Sequence, residues 1–445
     1  MSDSRSTAAP LNILLLCDYQ SSIAATVADH IHALCRLSEN RIYRLSMLGH
    51  IPRNLDLARF DAVIVHYTLV ACMDFYLSRE ARARIAQFTG LKALFIQDEY
   101  RHVNASIAAM RELGIHVLFT CVPEPEIEKV YPESKLPGVR KVNVLTGYVP
   151  AELLDRKVPP FEARPVDVGY RGRSVPAWLG ELGQEKWRIG LRFLQDAARY
   201  GLSCDISYRE EDRLYGDAWI DFLTRCKAVL GVESGASVFD FTGEIQYGVE
   251  RHLARAPNTP FETLRDLYFR DAEGKISLAQ ISPRSFESAA LRTLMILYEG
   301  EYSGILKPWR HYVPLKKDHS NMDQVVAVLR DPARCREIIE CAYREVALDP
   351  ENSFRAFVQK VDHALREAWR PEMAAAQACY GPKHFRLITA LNPTTIRRRA
   401  SRRLMTKLHW LVYGVILARM SPETRERLRP HIRRVYRALA RQQSG

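Results

Sequence analysis

Short, continuously apolar runs closed by a polar or turn-forming residue alternate along this chain with longer stretches whose apolar positions recur every third or fourth residue. "LNILLLCD" (11–18), "DAVIVHYT" (61–68), "KALFIQDE" (92–99) and "IHVLFTC" (115–121) are of the first kind. Such runs predict strands buried on both faces, as in a parallel sheet covered by helices. "SSIAATVADHIHALCRL" is of the second kind, with Ile23, Val27, Ile31 and Leu34 at helical spacing, and stretches around "REARARIAQF" and "ASIAAMREL" follow it. With "RIYRLSML" and "RKVNVLTGYV" (140–149) as further strands, residues 1–150 predict one doubly wound α/β domain.

The proline-rich, polar segment 151–165, "AELLDRKVPPFEARP", reads as a linker. The alternation then restarts. "VDVGYRGR" (166–173), "SCDISY" (203–208) and "KAVLGVE" (227–233) predict strands, separated by helices at "EKWRIGLRFLQDAARYG" and "GDAWIDFLTRC". After a less regular stretch with helices near "EIQYGVERHL" and "FETLRDLYF", the run "SPRSFESAALRTLMILYEGEYSG" (282–304) supplies a turn, a short helix and a strand. "HYVPLKKD" and "NMDQVVAVLRD" complete a second unit over 166–346, with closing helices over 347–392. The expected fold class is therefore α/β, with two Rossmann-like doubly wound domains facing a cleft, extended by a basic helical C-terminal segment.

Composition changes this picture at one place. Hydrophobic residues make up 47% and charged residues 26% of the 445, as in ordinary globular chains. Fourteen Lys or Arg against two acids fall in 393–445, which leaves 50 of each sign before it, so the whole net charge of +12 belongs to that segment. It joins arginine clusters to the apolar stretch Leu408 to Ala418, which carries Trp410 and Tyr413 and is too short to span a bilayer. A basic amphipathic tail of this kind suits an anionic membrane surface. It contains no nucleic-acid reader module, and the neutral body continues no basic face, so nucleic acid is not an expected partner. Nine scattered cysteines without a CxxC pair read as reduced thiols, and "MSDSRSTAAP" has no apolar stretch of a secretory signal. The expected location is cytoplasmic, peripheral on the inner face of the plasma membrane.

No GxGxxG, GxxxxGK[ST] or HExxH occurs, which argues against a dinucleotide oxidoreductase, a P-loop NTPase and a zinc protease. His30 and His32 are two apart on a helix and point away from each other, so a shared metal is not expected. In the second unit, Arg171, Gly172 and Arg173 end a strand and Lys186 is expected at the start of the next helix. Basic groups beside a helix N-terminus suit a diphosphate, although Arg and Lys also decorate loops. Ser282, Pro283 and Ser285 are turn and N-cap formers, and they place Glu287 in a first helical turn. An acid there favours the helix dipole without any ligand. In the crevice of Arg171 and Lys186 it would instead hold ribose hydroxyls while Arg284 meets phosphate.

Taken in order, "DVGYRGR…EKWRIG", "FLTRCKAVLGVESG" and "SPRSFESAALRTLMILYEG…HYVPLKKDHSNMDQVVAVLRD" resemble the donor half of GT-B glycosyltransferases. The likeness is to the family-1/4-like group that includes the spore-coat-maturation type. "FDAVIVHYT" and "KALFIQDEYR" are similar to its acceptor-domain strands, and the resemblance covers about residues 11–370. It implies a metal-independent glycosyltransferase of cell-surface polysaccharide biosynthesis. The enzyme would move a sugar, with retention, from a nucleotide-sugar donor to a glycan or lipid-linked acceptor at the cytosolic membrane face. The nucleotide sugar is a co-substrate, and no cofactor is implied.

The resemblance gives Arg171, Arg173, Lys186, Arg284 and Glu287 to the donor, and His66, Asp98 and Glu99 to catalysis or acceptor contact. The family's paired acid would stand eight residues before Glu287, where this chain has Ala279; Glu233 or Glu244 replaces it, or it is lost. The alternatives are a non-catalytic GT-B-like protein that binds a nucleotide or glycan, and a phosphotransferase on the same scaffold.

Overall fold

The computed structural model describes residues 9–19 and 24–390. The expected tail over 393–445, with its membrane role, lies outside the described residues, as do 391–392 of the closing segment.

Two parallel sheets carry the described chain. The first contains β1 (Asn12–Cys17), β2 (Arg41–Ser46), β3 (Ala62–Val65), β4 (Leu91–Phe95), β5 (Val117–Thr120) and β6 (Arg140–Asn143), in the order β2-β1-β3-β4-β5-β6. The second is built from β7 (Val166–Arg171), β8 (Cys204–Ser207) and β9 (Cys226–Gly231). After the antiparallel ribbon of β10 (Ser234–Ala236) and β11 (Leu278–Gln280) come β12 (Leu294–Tyr298) and β13 (Val313–Leu315). The order of this sheet is β13-β12-β9-β7-β8. Each sheet is doubly wound around its first strand, so the two Rossmann-like domains expected from the apolar runs are present.

The cause is visible in the burial. Every residue of β3, β4, β5 and β12 is buried. Alternate residues feed opposite layers: Leu14, Leu16, Val63 and Val65 point to one, and Ile13, Leu15, Ala62 and Ile64 to the other. Local signals set the helix starts. Ser78, Ser282 and Ser353 each accept a backbone N–H in the following turn, and Asp331 accepts two.

The helix Phe354–Ala368 returns to the first domain and closes one face of its sheet with Phe357, Val358, Val361 and Leu365, each fully buried or nearly so. At roughly 2 kcal/mol per large apolar side chain, this face alone anchors the crossing. The Asp362 carboxylate then fixes its register, accepting from Ser38 Oγ (2.7 Å), Glu39 N (2.9 Å) and Asn40 Nδ2 (2.9 Å).

The ribbon β10–β11 and the helices Glu244–Arg255 and Phe261–Tyr268 between its strands form a clasp; both helices were expected there, and the ribbon was not. Phe239, Ile276 and Leu278 from this clasp enter the core of the first domain. Asp240 N–H donates to Tyr100 O at 2.7 Å, and Asn104 N–H donates to Phe241 O at 3.0 Å. The two domains are thus held across the cleft by backbone hydrogen bonds as well as by the returning helix.

Candidate functional site

At the C-terminal edge of the second sheet the strand order reverses between β7 and β9, and open parallel sheets bind ligands at such a point. A cavity of about 280 Å³ lies there. Among the described residues five cations line it, Arg171, Arg173, Lys186, Arg213 and Arg284, and no carboxylate does. Ser234, Ser282, Ser285 and Ser288 add hydroxyls to the same wall.

Lys186 stands in the second turn of the helix Gly180–Ala197, not at its start as expected, because the helix begins six residues earlier at Gly180 (φ +79°). The helix N-terminus is already taken. Glu181 N–H donates to both carboxylate oxygens of Glu273 at 3.3 and 3.2 Å, and Leu182 N–H donates to Ser237 Oγ at 3.1 Å. An anion in this cleft meets side-chain cations instead of the helix end.

Burial pushes the Lys186 ammonium down to about 8; Arg173 lowers it further, Asp98 opposes, and Arg284 adds to the depression. Neither Lys186 Nζ nor the Arg173 guanidinium has a hydrogen bond or ion pair among the described residues. Gly172 brings the end of β7 against this helix. A Cβ there would lie 2.5 Å from Lys186 O and 2.7 Å from the Tyr170 ring, so only glycine allows Tyr170 Oη to donate to Lys186 O at 2.6 Å.

Arg171 lines the cavity but is engaged. It pairs with Asp205 Oδ1 at 2.8 Å, donates to Asp205 O and Tyr170 O, and lies 4.3 Å from the Phe222 ring centroid. It braces the cleft wall and adds to the positive field. Arg284, at the first turn of the helix Pro283–Ala290, donates to Arg171 O and sits 4.8 Å from the Trp219 ring centroid. Trp219 Nε1 in turn donates to Glu287 Oε2 at 2.8 Å. The opposite charges of this helix are therefore linked through one indole. Burial raises the Glu287 carboxyl, while the Trp219 hydrogen bond and Arg284 pull it down.

The remaining expected residues are not brought into this cleft. His66 follows β3 and is fully buried; Thr68 N–H donates to its Nδ1 at 3.2 Å, which leaves Nε2 to donate to His30 Nδ1 at 3.0 Å. Both nitrogens serve the protein, and burial with the neighbouring His30 holds His66 far below the usual imidazole range. Glu99 is equally enclosed, accepting from Thr120 Oγ1, Tyr131 Oη and Cys121 N. Burial lifts its carboxyl to about 7 against those three donors. Glu233 accepts Tyr302 N–H at 2.7 Å and packs on Gly300, and it is not part of the cavity wall. Glu244 starts a clasp helix, and Ala279 pairs with Gly235 inside the ribbon. Asp98 does not line this cavity either, but its charge reaches Lys186. It is exposed at φ +56°, accepts from Tyr100 Oη at 3.0 Å, and favours the charged form of Lys186 across the cleft.

The buried imidazoles carry a pH consequence. Burial lowers His30 from 6.5 to about 3, so the unfolded chain takes up that proton first, and the contribution to stability present above pH 6.5 is lost as pH falls toward 3. Glu99, raised to about 7, acts in the opposite sense between pH 7 and 4.5. Comparison of wild type with His30→Phe isolates the imidazole. Urea unfolding at pH 6.5 and pH 4.5 should show wild type losing stability relative to the variant by about 1.4 kcal/mol per pH unit.

Three residues of the site region escaped the sequence analysis. Arg213 and Trp219 sit in the segment between β8 and β9, where the signal was an Arg just before the predicted helix and a Trp within it. Tyr67, rather than its neighbour His66, lies on the open side after β3. A strand end offers adjacent residues to opposite sides, and only the register of the turn decides between them.

Among the described residues, no group of three or more His, Cys, Asp or Glu is placed to hold a metal ion. No protein-family model matches the chain, and no curated protein matches it in sequence. Solved structures give distant likenesses. An E. coli structure described as trehalose-6-phosphate bound with UDP-2-fluoro glucose has a TM-score of 0.46 at 8% identity, covering 80% of this chain and 99% of that one. An alpha-glucosyltransferase in complex with UDP and a 13-mer DNA containing an HMU base gives 0.46 at 9%, covering 80% and 99%. Anabaena HepE in complex with UDP gives 0.44 at 8%, again covering 80% and 99%. None of these three scores reaches 0.5, and the function proposed for the cleft rests on the cleft's own residues.

Proposed function

We propose that the protein is a glycosyltransferase that takes its sugar from a nucleoside-diphosphate donor. The observation that carries this is the cavity at the β7/β9 reversal, with five cations and no carboxylate in its wall among the described residues. A pyrophosphate satisfies Lys186 and Arg173, whose side chains make no hydrogen bond or ion pair among the described residues, and Arg284 reaches it from the next helix. In transfer, the bond from the sugar's anomeric carbon to the diphosphate breaks as the bond from the acceptor oxygen forms. The diphosphate leaves with the electron pair, and the hydroxyl proton passes to Asp98. Cations already in place where negative charge develops stabilise that transition state without reorganising. Trp219 lines the cavity beside Arg284, and Glu287, which the resemblance assigns to the ribose, lies outside the cavity wall and accepts from the Trp219 indole.

The resemblance adds retention of configuration, metal independence, and an acceptor at the cytosolic face of the plasma membrane. Proton NMR of the first product tests retention. Turnover in EDTA tests metal independence. For location, the full chain should sediment with anionic vesicles and not with neutral ones, and equal sedimentation with both would remove the membrane role of 393–445.

Ala279 favours a second reading, binding without catalysis, because no carboxylate stands at the position of the family's paired acid. Hydrolysis or transfer of any UDP-, GDP-, dTDP- or CDP-sugar decides between them. Diphosphate binding without turnover supports the binding protein, and turnover supports the enzyme.

Lys186 gives the donor step a pH signature. Its ammonium titrates near 8 without ligand, and a bound diphosphate raises that value. Below pH 8 both states hold the proton and affinity is flat. Above it, binding must take up a proton, and affinity falls by about tenfold per pH unit until the bound value is reached. Calorimetry at pH 9 in two buffers of different ionisation enthalpy should register this uptake, and at pH 7 it should not.

A further inference from the structure

The helix Pro283–Ala290 carries an arginine and a glutamate three residues apart, Arg284 and Glu287. Side chains at this spacing are neighbours on a helix surface, and opposite charges there favour pairing. These two form no ion pair with each other among the described residues. The Trp219 indole, from the helix Asp217–Arg225, engages both instead. Its Nε1 donates to Glu287 Oε2 at 2.8 Å, and the Arg284 guanidinium lies 4.8 Å from its ring centroid.

The indole is itself held in place. Phe222, on the same helix, stacks on it with 5.6 Å between centroids and 25° between planes, and the Arg171 guanidinium lies 4.3 Å from the Phe222 centroid. Arg171, Phe222, Trp219 and Arg284 thus form one ladder along the cavity wall, which closes on itself where Arg284 Nη1 donates to Arg171 O. The two arginines differ in their partners. Arg171 is paired with the Asp205 carboxylate, whereas Arg284 is held by an aromatic face and a backbone carbonyl, and neither of these neutralises it. A cation against a ring face keeps its charge and its outward N–H groups, while one in an ion pair commits both to its partner.

We propose that Trp219 is a positioning residue of the donor site, which engages Glu287 with its N–H and Arg284 with its ring and so keeps the arginine unpaired and available to phosphate. The proposal rests on the diphosphate reading of the cationic cleft and says how the cleft keeps one of its cations free. Without the indole, Arg284 and Glu287 pair, and an incoming anion must break that pair.

Calorimetry of the full chain with inorganic pyrophosphate, and separately with UDP, tests this. Trp219→Leu should weaken both ligands by the same factor, about tenfold or more. The readout that a merely structural role would not move is the coupling to Glu287. Adding Glu287→Gln to Trp219→Leu should restore most of the pyrophosphate affinity, a gain at least about fivefold larger than the same substitution gives in the wild type. Should Trp219→Leu fail to fold, Trp219→Met takes its place with the same expected outcomes.

Equal gains from Glu287→Gln in the two backgrounds overturn the proposal. So does a Trp219→Leu that binds pyrophosphate as the wild type does, or that loses UDP alone, since the indole would then act on the nucleoside. Pyrophosphate that fails to bind a wild type that binds UDP overturns it as well, because the cations would then not hold the phosphates. Failure of the underlying donor reading looks different: neither ligand binds the wild type, and the two readings fall together.

Discussion

Lys186→Ala should lower kcat for sugar transfer by about 10²–10³-fold and weaken UDP binding, with the melting temperature of the ligand-free protein unchanged or raised. The ammonium is half-buried, depressed to about 8 and flanked by Arg173 and Arg284, so without a ligand it costs stability more than it contributes. Its removal relieves that cost and takes away the cation that, on the proposed function, faces the leaving diphosphate. A structural lysine would behave in the opposite way, with lost stability and retained turnover. Single-turnover rates with saturating donor, measured beside thermal unfolding, distinguish the two. Lys186→Arg should recover only part of the rate, because the guanidinium is longer and its planar donors cannot occupy the ammonium's position.

Gly235→Ala should destabilise the protein by about 3 kcal/mol. Gly235 has φ +126°, and a Cβ there would fall 1.4 Å from Leu278 O, the carbonyl of the strand it pairs with. No side-chain rotation relieves that overlap, so the ribbon β10–β11 must open. With it go the burial of Ile276 and Leu278 in the first domain and the Gln280 Nε2 hydrogen bond to Cys121 O. Urea unfolding measures the loss, and a change within 0.5 kcal/mol would show that the clasp contributes little to holding the domains.

Periodicity made most of the fold legible. Strands buried on both faces leave apolar runs, and β1, β3, β4, β5, β7, β9 and β12 all overlap strands expected from the sequence, with β4 and β9 starting one residue earlier. The three-residue strands β10 and β11 left no such trace. Their pairing is set by Gly235 and by contacts with the other domain, neither of which has a period. The helix Pro332–Ala342 likewise went unread, although Asp331 and Pro332 carry its start signal.

At the site, the cationic group was legible as residue types at strand and helix ends, and Arg171, Arg173, Lys186 and Arg284 do line one cavity. Their different engagement was not legible: Asp205 ties Arg171, while Arg173 and Lys186 have no partner among the described residues. His66 and Glu99 look in the sequence like catalytic groups at strand ends. Three dimensions turn both inward, onto His30 and onto Thr120 and Tyr131, and leave Tyr67 and Asp98 on the open side.

The central claim is that the cleft of Arg173, Lys186 and Arg284 binds a nucleoside diphosphate. Calorimetric titration of the full chain at pH 7.5 in EDTA, with UDP, GDP, dTDP and CDP in turn, tests it most directly. The predicted result is one-to-one binding of at least one of them, with a dissociation constant on the order of micromolar. The constant should weaken about tenfold or more in Arg173→Ala and disappear in the Arg173→Ala/Lys186→Ala double variant. Absence of binding by all four, or binding that the double variant leaves unchanged, would contradict it.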